Sequence, residues 1–343
     1  MTVSDITFVP RDLTSNPGIS YDVVGLGNAL VDVIAQTDDA FLEQQQLAKG
    51  SMALVDTDRA VSLYEALQGG IEMSGGSAAN TMCGIASFGG RAAYIGKVAE
   101  DALGDTFSKD MQVVGVDFKR PVGGNSIPTG RCIIAVTPDA QRTMNTFLGI
   151  SSLLTPADLD HGAIAAGAVL YLEGYLYDQP EAKVAFRAAA EIAHQHNRQV
   201  SLTLSDSFCV DRHRDDFRAL ISDEIDILFG NEAELLALYE TDTFEFAITQ
   251  LRQDCIVAAI TRSELGSVVV TKDGVIEVPA QPVAQVVDTT GAGDLYAAGF
   301  LYGYTRGMDL KTCATLGHIA SAEVISHVGP RPQIALSSLL PAS

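Results

Sequence analysis

The sequence predicts an α/β protein built on a mostly parallel sheet with helices on both faces, and a small β-sheet set beside it. Three observations carry that prediction. From Gly167 onward, apolar β-branched runs alternate with helix-length segments: AVLYLEGYL, a helix over 180–197, QVSLTLSD, a helix around 213–221, DILFGN, a helix over 231–239, IVAAITRS and SVVVTKDG. Such alternation implies parallel strands joined by crossover helices. Over residues 118–149 the character changes: the stretch is rich in Gly, Pro and Thr, with short strands at Cys132–Val136 and Thr143–Leu148 around a turn at Pro138–Asp139. That is hairpin patterning inserted into a βα pattern. Finally, QVVDTTGAGDLYAAGFLYGY (Gln285–Tyr304) leads from a β-branched pair through a small-residue loop into an apolar helix.

That last stretch holds the clearest chemistry. Glycines at 291 and 293 let the backbone turn its N–H groups inward, and the first free amides of the helix add partial positive charge. Gly291, Ala292 and Gly293 therefore form a candidate anion pocket. Asp294 stands at the start of the helix, where a carboxylate would repel a bound anion unless it had another task. Taking a proton from a hydroxyl that attacks phosphorus is such a task; the alternative is an Asp N-cap on a glycine turn.

Composition bounds the function. The chain has 343 residues, 47% of them hydrophobic, enough for one large domain or one large plus one small. A formal charge of -21 argues against a nucleic-acid partner and requires that any phosphorylated ligand meet locally placed amides, metal or Arg. Five scattered cysteines without a CxxC pair suggest reduced thiols, and with no signal-peptide pattern or membrane-length apolar run the expectation is a soluble, cytoplasmic protein.

Taken in order, YDVVGLGNALVDV (Tyr21–Val33) reads as a buried strand, a glycine turn and a second extended run. Leu30 stands where a dinucleotide GxGxxG would have its third glycine, so that reading is set aside. Asn28 and Asp32 lie four apart and suit vicinal hydroxyls reaching into a cleft, or are solvated groups at a strand-end turn. A helix is expected over Asp58–Leu67. Next, MSGGSAANTMCGIAS gives a second small-residue loop: Gly75 and Gly76, Ser77 as N-cap, and Asn80 one turn inside a helix facing back. AAYIGKV is a strand and LGDTFSKDMQVVG a helix. The hairpin region carries Arg142, which a closing lid would bring to a phosphate or which is a solvated hairpin residue. Asn231, Thr261 and the Asp288–Asp294 loop fall at strand carboxyl ends, where ligands sit in open α/β sheets. Asn231 and Glu234 open a helix at i and i+3, which suits water-bridged magnesium beside phosphates, a capping box, or both. His318 follows the anion loop and could line a nucleotide pocket. The expected division is a large domain over 1–33, 55–116 and 150–343, with a lid over 34–54 and 117–149.

GGSAANTMCGIASFGG (Gly75–Gly90) and DTTGAGDLYAAGF (Asp288–Phe300) resemble the two signatures of the ribokinase-like (PfkB) carbohydrate kinases, and the likeness runs over about residues 20–333. GLGNALVDV, SIPTGRC, SLTLSDSF, DILFGNEAE and Gly329–Pro330 look most like the adenosine kinases and their bacterial relatives. The resemblance implies a three-layer α/β/α fold and transfer of the γ-phosphate of ATP, with Mg2+, to a primary hydroxymethyl. It implies Asp294 as base, Gly291–Gly293 as anion hole, and Arg142 from the lid. Asn28, Asp32, Gly75, Gly76, Ser77 and Asn80 would hold the ribose, and Met52, Leu54, Met144 and Tyr175 would wall the nucleobase. Asn231, Glu234, Thr261, Gly266 and His318 would serve the nucleotide, with Glu234 reaching Mg2+ through water. A monovalent cation such as K+ is implied beside Asp288 and Thr290, with carbonyls near Val324 and Gly329. Two departures stand out: Ser263 replaces a usual glycine after Thr261, leaving Gly266, and Ala78 and Ala79 stand where many adenosine kinases carry polar residues.

The expected reaction is in-line attack of the acceptor hydroxyl on the γ-phosphorus, with water excluded by the lid. Adenosine is the expected acceptor, with a free sugar such as ribose or fructose, another nucleoside such as inosine or guanosine, or an idle nucleoside-binding protein as alternatives. Apolar wall candidates favour a base to bury. A monomer or a homodimer would both suit an exposed sheet edge in the lid.

Overall fold

The computed structural model of the chain describes residues 8, 10–67, 69–120, 126–139 and 141–340. Residues 1–7, which carry no signal-peptide pattern in the sequence, and residues 121–125 and 140 of the hairpin-rich region lie outside the described residues. Fourteen strands are formed among the described residues: β1 (Tyr21–Leu26), β2 (Leu30–Gln36), β3 (Met52–Leu54), β4 (Ile71–Gly75), β5 (Ala92–Ile95), β6 (Val116–Phe118), β7 (Gly130–Val136), β8 (Arg142–Phe147), β9 (Gly167–Glu173), β10 (Gln199–Thr203), β11 (Ile227–Asn231), β12 (Val257–Thr261), β13 (Ser267–Thr271) and β14 (Val275–Val278). The α-helices are α1 (Asp39–Gln44), α2 (Thr57–Ala66), α3 (Ser77–Ser87), α4 (Ala102–Val114), α5 (His161–Ala166), α6 (Pro180–Gln195), α7 (Ser207–Glu224), α8 (Glu232–Leu238), α9 (Phe244–Asp254), α10 (Ala292–Thr305) and α11 (Leu310–Val324).

The main sheet has nine strands in the order β14-β13-β12-β11-β10-β9-β1-β5-β6. From β12 to β6 every pairing is parallel, and β13 and β14 add an antiparallel edge. Parallel strands buried on both faces need near-continuous apolar sequence, and all seven residues of β9 are buried. One face packs against α5–α9 through residues such as Phe186, Phe217 and Leu235. The other packs against α3, α4, α10 and α11 through Met82, Phe107, Leu295 and Cys313. The fold is thus a three-layer α/β/α sandwich of the ribokinase-like kind. No helix among the described residues is long and apolar enough to cross a membrane.

A second sheet of five strands runs in the order β3-β8-β7-β2-β4. Its membership differs from the expected boundaries. Residues 30–33 and 71–75, assigned from sequence to the large domain, belong to this second sheet through β2 and β4. Residues 117–118, assigned from sequence to the lid, pair instead with β5 of the main sheet. The register explains why: a seven-residue ladder from Leu30↔Gly130 to Gln36↔Val136 binds β2 to β7, a pairing that no local pattern announces. The Val286–Val287 pair is exposed and joins no sheet; Val287 instead donates its N–H to Ile325 O at 2.8 Å.

Candidate active site

The site is assembled where two helix starts meet. α3 and α10 lie against each other so closely that a Cβ at Gly84 would stand 2.5 Å from that of Ala298. Each helix begins at a glycine in the left-handed region, Gly76 with φ 97 and Gly291 with φ 80, and neither start carries a side-chain cap. A Cβ at Gly76 would lie 2.2 Å from Asn28 O, and one at Gly291 2.7 Å from Pro330 O, so neither position admits another residue without displacing backbone.

Asp294 is the third residue of α10, and its carboxylate does not cap that helix. It reaches across to α3, where Oδ1 accepts from Ser77 Oγ at 2.6 Å and Oδ2 from Asn80 Nδ2 at 3.0 Å. Burial holds its pKa above the ordinary carboxylate value, opposed by those two hydrogen bonds and by the charge of Arg331. Beside it, Ala292 N donates to Thr289 O at 3.2 Å; a carboxylate so held at a helix start is suited to general-base work. Ser77 is correspondingly not the N-cap of α3; Gly76 is.

Asp32, on β2, is 8% exposed and lies over Gly75, whose Cβ would meet its carboxylate at 2.6 Å. Burial pushes its pKa up to about 6, Arg331 and Arg142 pull it back, and Asp294 adds to the rise. Asn28, expected to face a ligand, is turned into the protein: Nδ2 donates to Glu173 Oε1 at 2.9 Å and Oδ1 accepts from Ser151 Oγ at 3.1 Å. Sequence reasoning missed Glu173. It is buried at the end of β9, and its other oxygen accepts from Ala78 N at 2.8 Å, so it ties the β1 turn to the start of α3. Its signal was present as a lone acid closing an otherwise apolar seven-residue strand. Burial raises its pKa to about 7 against the hydrogen bonds from Ala78 and Asn28.

Arg142, at the start of β8, ion-pairs with Asp288 and donates to Thr290 Oγ1 at 3.2 Å. It is therefore not a solvated hairpin residue, and its Nε and Nη2 are buried without a partner among the described residues. Asp288 also accepts from Thr290 N at 3.1 Å, Thr290 Oγ1 at 2.7 Å and Gly329 N at 2.9 Å. A monovalent cation does not fit these donors as they stand: the carboxylate is filled by three neutral donors and already faces a guanidinium. Val324 is buried at the end of α11, and the neighbouring Ile325 O accepts from Val287 N and Asp288 N.

On the other flank, Asn231 and Glu234 form a closed capping box: Asn231 Oδ1 accepts from Glu234 N at 2.9 Å, and Glu234 accepts from Asn231 N and Nδ2 at 3.0 and 2.6 Å. Burial pushes the Glu234 pKa up to about 7. No three His, Cys, Asp or Glu residues meet in a metal-binding group among the described residues. Both Glu234 oxygens are engaged by Asn231, so the residue would meet magnesium only through water. Thr261 pairs with Asn231 at the same sheet edge, and Gly266 (φ 91) closes the following turn, its carbonyl accepting from Arg262 N. His318 is buried, 2.9 Å from Ser267 Oγ and edge-on to Tyr296, and burial lowers its pKa to about 4. That is a neutral, satisfied core histidine; its partners support packing and not the expected lining of a nucleotide pocket.

Tyr175 follows β9, its hydroxyl donating to Ser205 O at 3.2 Å. Met52 and Leu54 are exposed on the edge strand β3. Asp32 pairs with Cys132, Cys132 with Thr146 and Thr146 with Leu54, while Met144 pairs with Met52. Residues paired or two apart share a face, so Asp32, Arg142, Met144, Met52 and Leu54 all project from one face of the second sheet.

A glycine helix start, a buried carboxylate bonded to a neighbouring helix and an arginine paired with the adjoining loop are the features expected of a phosphotransferase that acts on a hydroxyl. The sequence matches the pfkB family of carbohydrate kinases over residues 62–335, and the chain belongs to that family. It is 29% identical over 331 residues to the adenosine kinase of Saccharomyces cerevisiae, covering 90% of this chain and 96% of that one. Among solved structures, adenosine kinase from Sinorhizobium meliloti superposes with a TM-score of 0.86 at 51% identity, covering 93% of this chain and 98% of the other. A probable sugar kinase from Rhizobium etli superposes with a TM-score of 0.86 at 47% identity, covering 94% and 98%. The protein is a kinase of the nucleoside and sugar class, and the family implies ATP as phosphoryl donor.

Proposed function

We propose that the protein transfers the γ-phosphate of ATP to the 5′-hydroxyl of a nucleoside, adenosine foremost, to give AMP. The observation that carries the choice of acceptor is the shared face of the second sheet. It sets the apolar side chains of Met144, two strands away, and Met52 and Leu54, three strands away, on the same face as Asp32, so that a base and a ribose could lie along one surface. Asp32 would accept from vicinal ribose hydroxyls, with the Gly75–Gly76 turn beneath them and Asn80 alongside. Asn28 serves this site by orienting the turn through Glu173.

In the proposed reaction Asp294 takes the proton of the attacking hydroxyl, while the amides of Gly291–Gly293 and the guanidinium of Arg142 meet the charge spread over the phosphoryl oxygens. Arg142 would leave Asp288 to do so, which makes the second sheet a lid whose closure excludes water. Asn231 and Thr261 border the nucleotide side. Magnesium, when bound with ATP, would offset phosphate charge near Glu234. Tyr175 fits a wall between the two sides.

A free sugar is the second reading, favoured by the likeness to the Rhizobium etli probable sugar kinase. Coupled ADP release with ATP and magnesium, on adenosine, inosine, guanosine, ribose and fructose, separates the two, with Asp294→Asn as blank. Turnover on adenosine far above the sugars is expected. Preference for a sugar would retain the chemistry and overturn the acceptor.

A further inference from the structure

Three consecutive residues near the C-terminus each touch a different part of the site. Gly329 N donates to Asp288 at 2.9 Å, Pro330 packs on the left-handed Gly291, and Arg331 Nε donates to Asn80 Oδ1 at 3.1 Å. Arg331 is thereby carried past the start of α10 to the residue that itself donates to Asp294. Its Nη2 is buried and has no hydrogen-bond partner among the described residues. Its charge is felt at both Asp294 and Asp32, yet no ion pair within 4.0 Å joins it to either among the described residues. A buried guanidinium N–H without an acceptor is costly, and such donors find an anion. The groups around it are Asp294 from α10, Asp32 from β2 and Asn80 from α3, and its charge also reaches Cys83 on α3 and Tyr94 on β5. On the kinase reading, the oxygen of an attacking hydroxyl would approach Asp294 among these groups.

We infer that Arg331 is a further catalytic residue, one that donates from the acceptor side to the phosphoryl group as it leaves ATP, and then to the phosphate of the product. The inference rests on the kinase reading above. The bond formed is from acceptor oxygen to phosphorus, and the bond broken is from phosphorus to the bridging oxygen of departing ADP. The hydroxyl proton goes to Asp294. Arg331 transfers nothing. It complements Arg142, which approaches from the second sheet; Arg331 is fixed to the main body through Pro330 and Asn80 and is in place before closure.

The test compares wild type with Arg331→Gln and Arg331→Lys by steady-state kinetics, and by calorimetric binding of adenosine and of AMP. For Arg331→Gln, kcat should fall about 100-fold with the adenosine KM changed less than about threefold. AMP binding should weaken about tenfold while adenosine binding holds. Arg331→Lys, which keeps the charge, should recover part of kcat. An unchanged kcat in Arg331→Gln would overturn the assignment. Equal weakening of adenosine and AMP would also overturn it, because a residue that only props Asn80 would give that pattern. If wild type turns over a sugar and not adenosine, the acceptor reading fails and the same comparison, made with that sugar and its phosphate, still decides Arg331. Wild type inactive on every acceptor would sink both.

Discussion

Two kinds of helix start stand out in this protein, apart from α6 and α9, which open on Gln179 and Thr243 without a side-chain cap. Seven helices, among the described residues, open on an Asp or Asn whose side chain accepts a hydrogen bond from the first turn: Asp38, Asp56, Asp101, Asp160, Asp206, Asn231 and Asp309. α3 and α10 open on glycines instead. An ordinary cap satisfies orphan amides and contributes stability; a glycine start keeps the amides open to something else. What that something is differs between the two. α3 borrows a carboxylate from another strand, since Glu173 accepts from Ala78 N. α10 sends its own first-turn carboxylate away, to Ser77 and Asn80. The two starts are thus tied together by acids; at α10 the Ala292 N–H is taken by Thr289 O at 3.2 Å, and the Gly291 and Gly293 amides are the ones proposed to meet a phosphoryl group.

Breaking the second tie should have the largest effect. Asp294→Asn keeps the size of the side chain and removes the base, so kcat should fall by about 10² to 10⁴ with the melting temperature little changed. Near wild-type turnover would end the general-base assignment. In wild type the active form is the ionised one, and burial has raised its pKa. Activity should therefore fall as pH drops through a value above 3.8, the ordinary Asp pKa. Asp32, with its pKa near 6, protonates over the same descent and steepens it.

The borrowed cap is the next test. Glu173 has its pKa raised from 4.5 to about 7, so the folded state holds its proton more tightly than the unfolded chain does. Its contribution to stability is complete below pH 4.5 and is lost as pH rises through about 7, a change on the order of 3 kcal/mol. Denaturant midpoints of wild type should decline between pH 5 and 8, and Glu173→Gln should flatten that decline. The same slope in both proteins would mean that the carboxyl is not held as described.

How much of this was legible follows from the same contrast. Both glycine starts stand in the sequence as GGSAAN and TTGAGD, because local backbone demands leave local residues. The βα alternation and the strand-end positions of Asn231 and Thr261 were readable for that reason too. The partners were not. Glu173 lies 145 positions from Asn28, and Arg331 lies 251 from Asn80. Nothing near either residue says whom it will meet. The inward turn of Asn28, the extent of the second sheet and the core placement of His318 are likewise products of long-range pairing. A polar residue at a strand end announces a site; its direction is set by elements that the local pattern does not contain.

Gly293 separates the two roles of glycine within one loop. Unlike Gly291 it has no positive φ, and a Cβ there would meet nothing within 4 Å. Gly293→Ala should leave the protein as stable as before, or more stable by a few tenths of a kcal/mol. Turnover should nonetheless drop about tenfold, because the methyl stands on the open side of the pocket and a small misplacement of the phosphoryl group is costly. A fully active Gly293→Ala would show that the phosphoryl group does not sit against this amide.

The smallest effect belongs to an ordinary cap. Asp309 accepts from Thr312 N at 3.0 Å and from Thr312 Oγ1 at 2.6 Å at the start of α11. The 15 residues of α11 separate that end from Val324, a length of about 22 Å. Asp309→Ala should cost about 1 kcal/mol, a fall of about 1–2 °C in melting temperature for a chain of this length. kcat and KM should not move, because the lost bond satisfied the helix and nothing beyond it. A tenfold loss of kcat would break the division itself, since an aspartate cap would then be serving the chemistry that the glycine starts are argued to reserve.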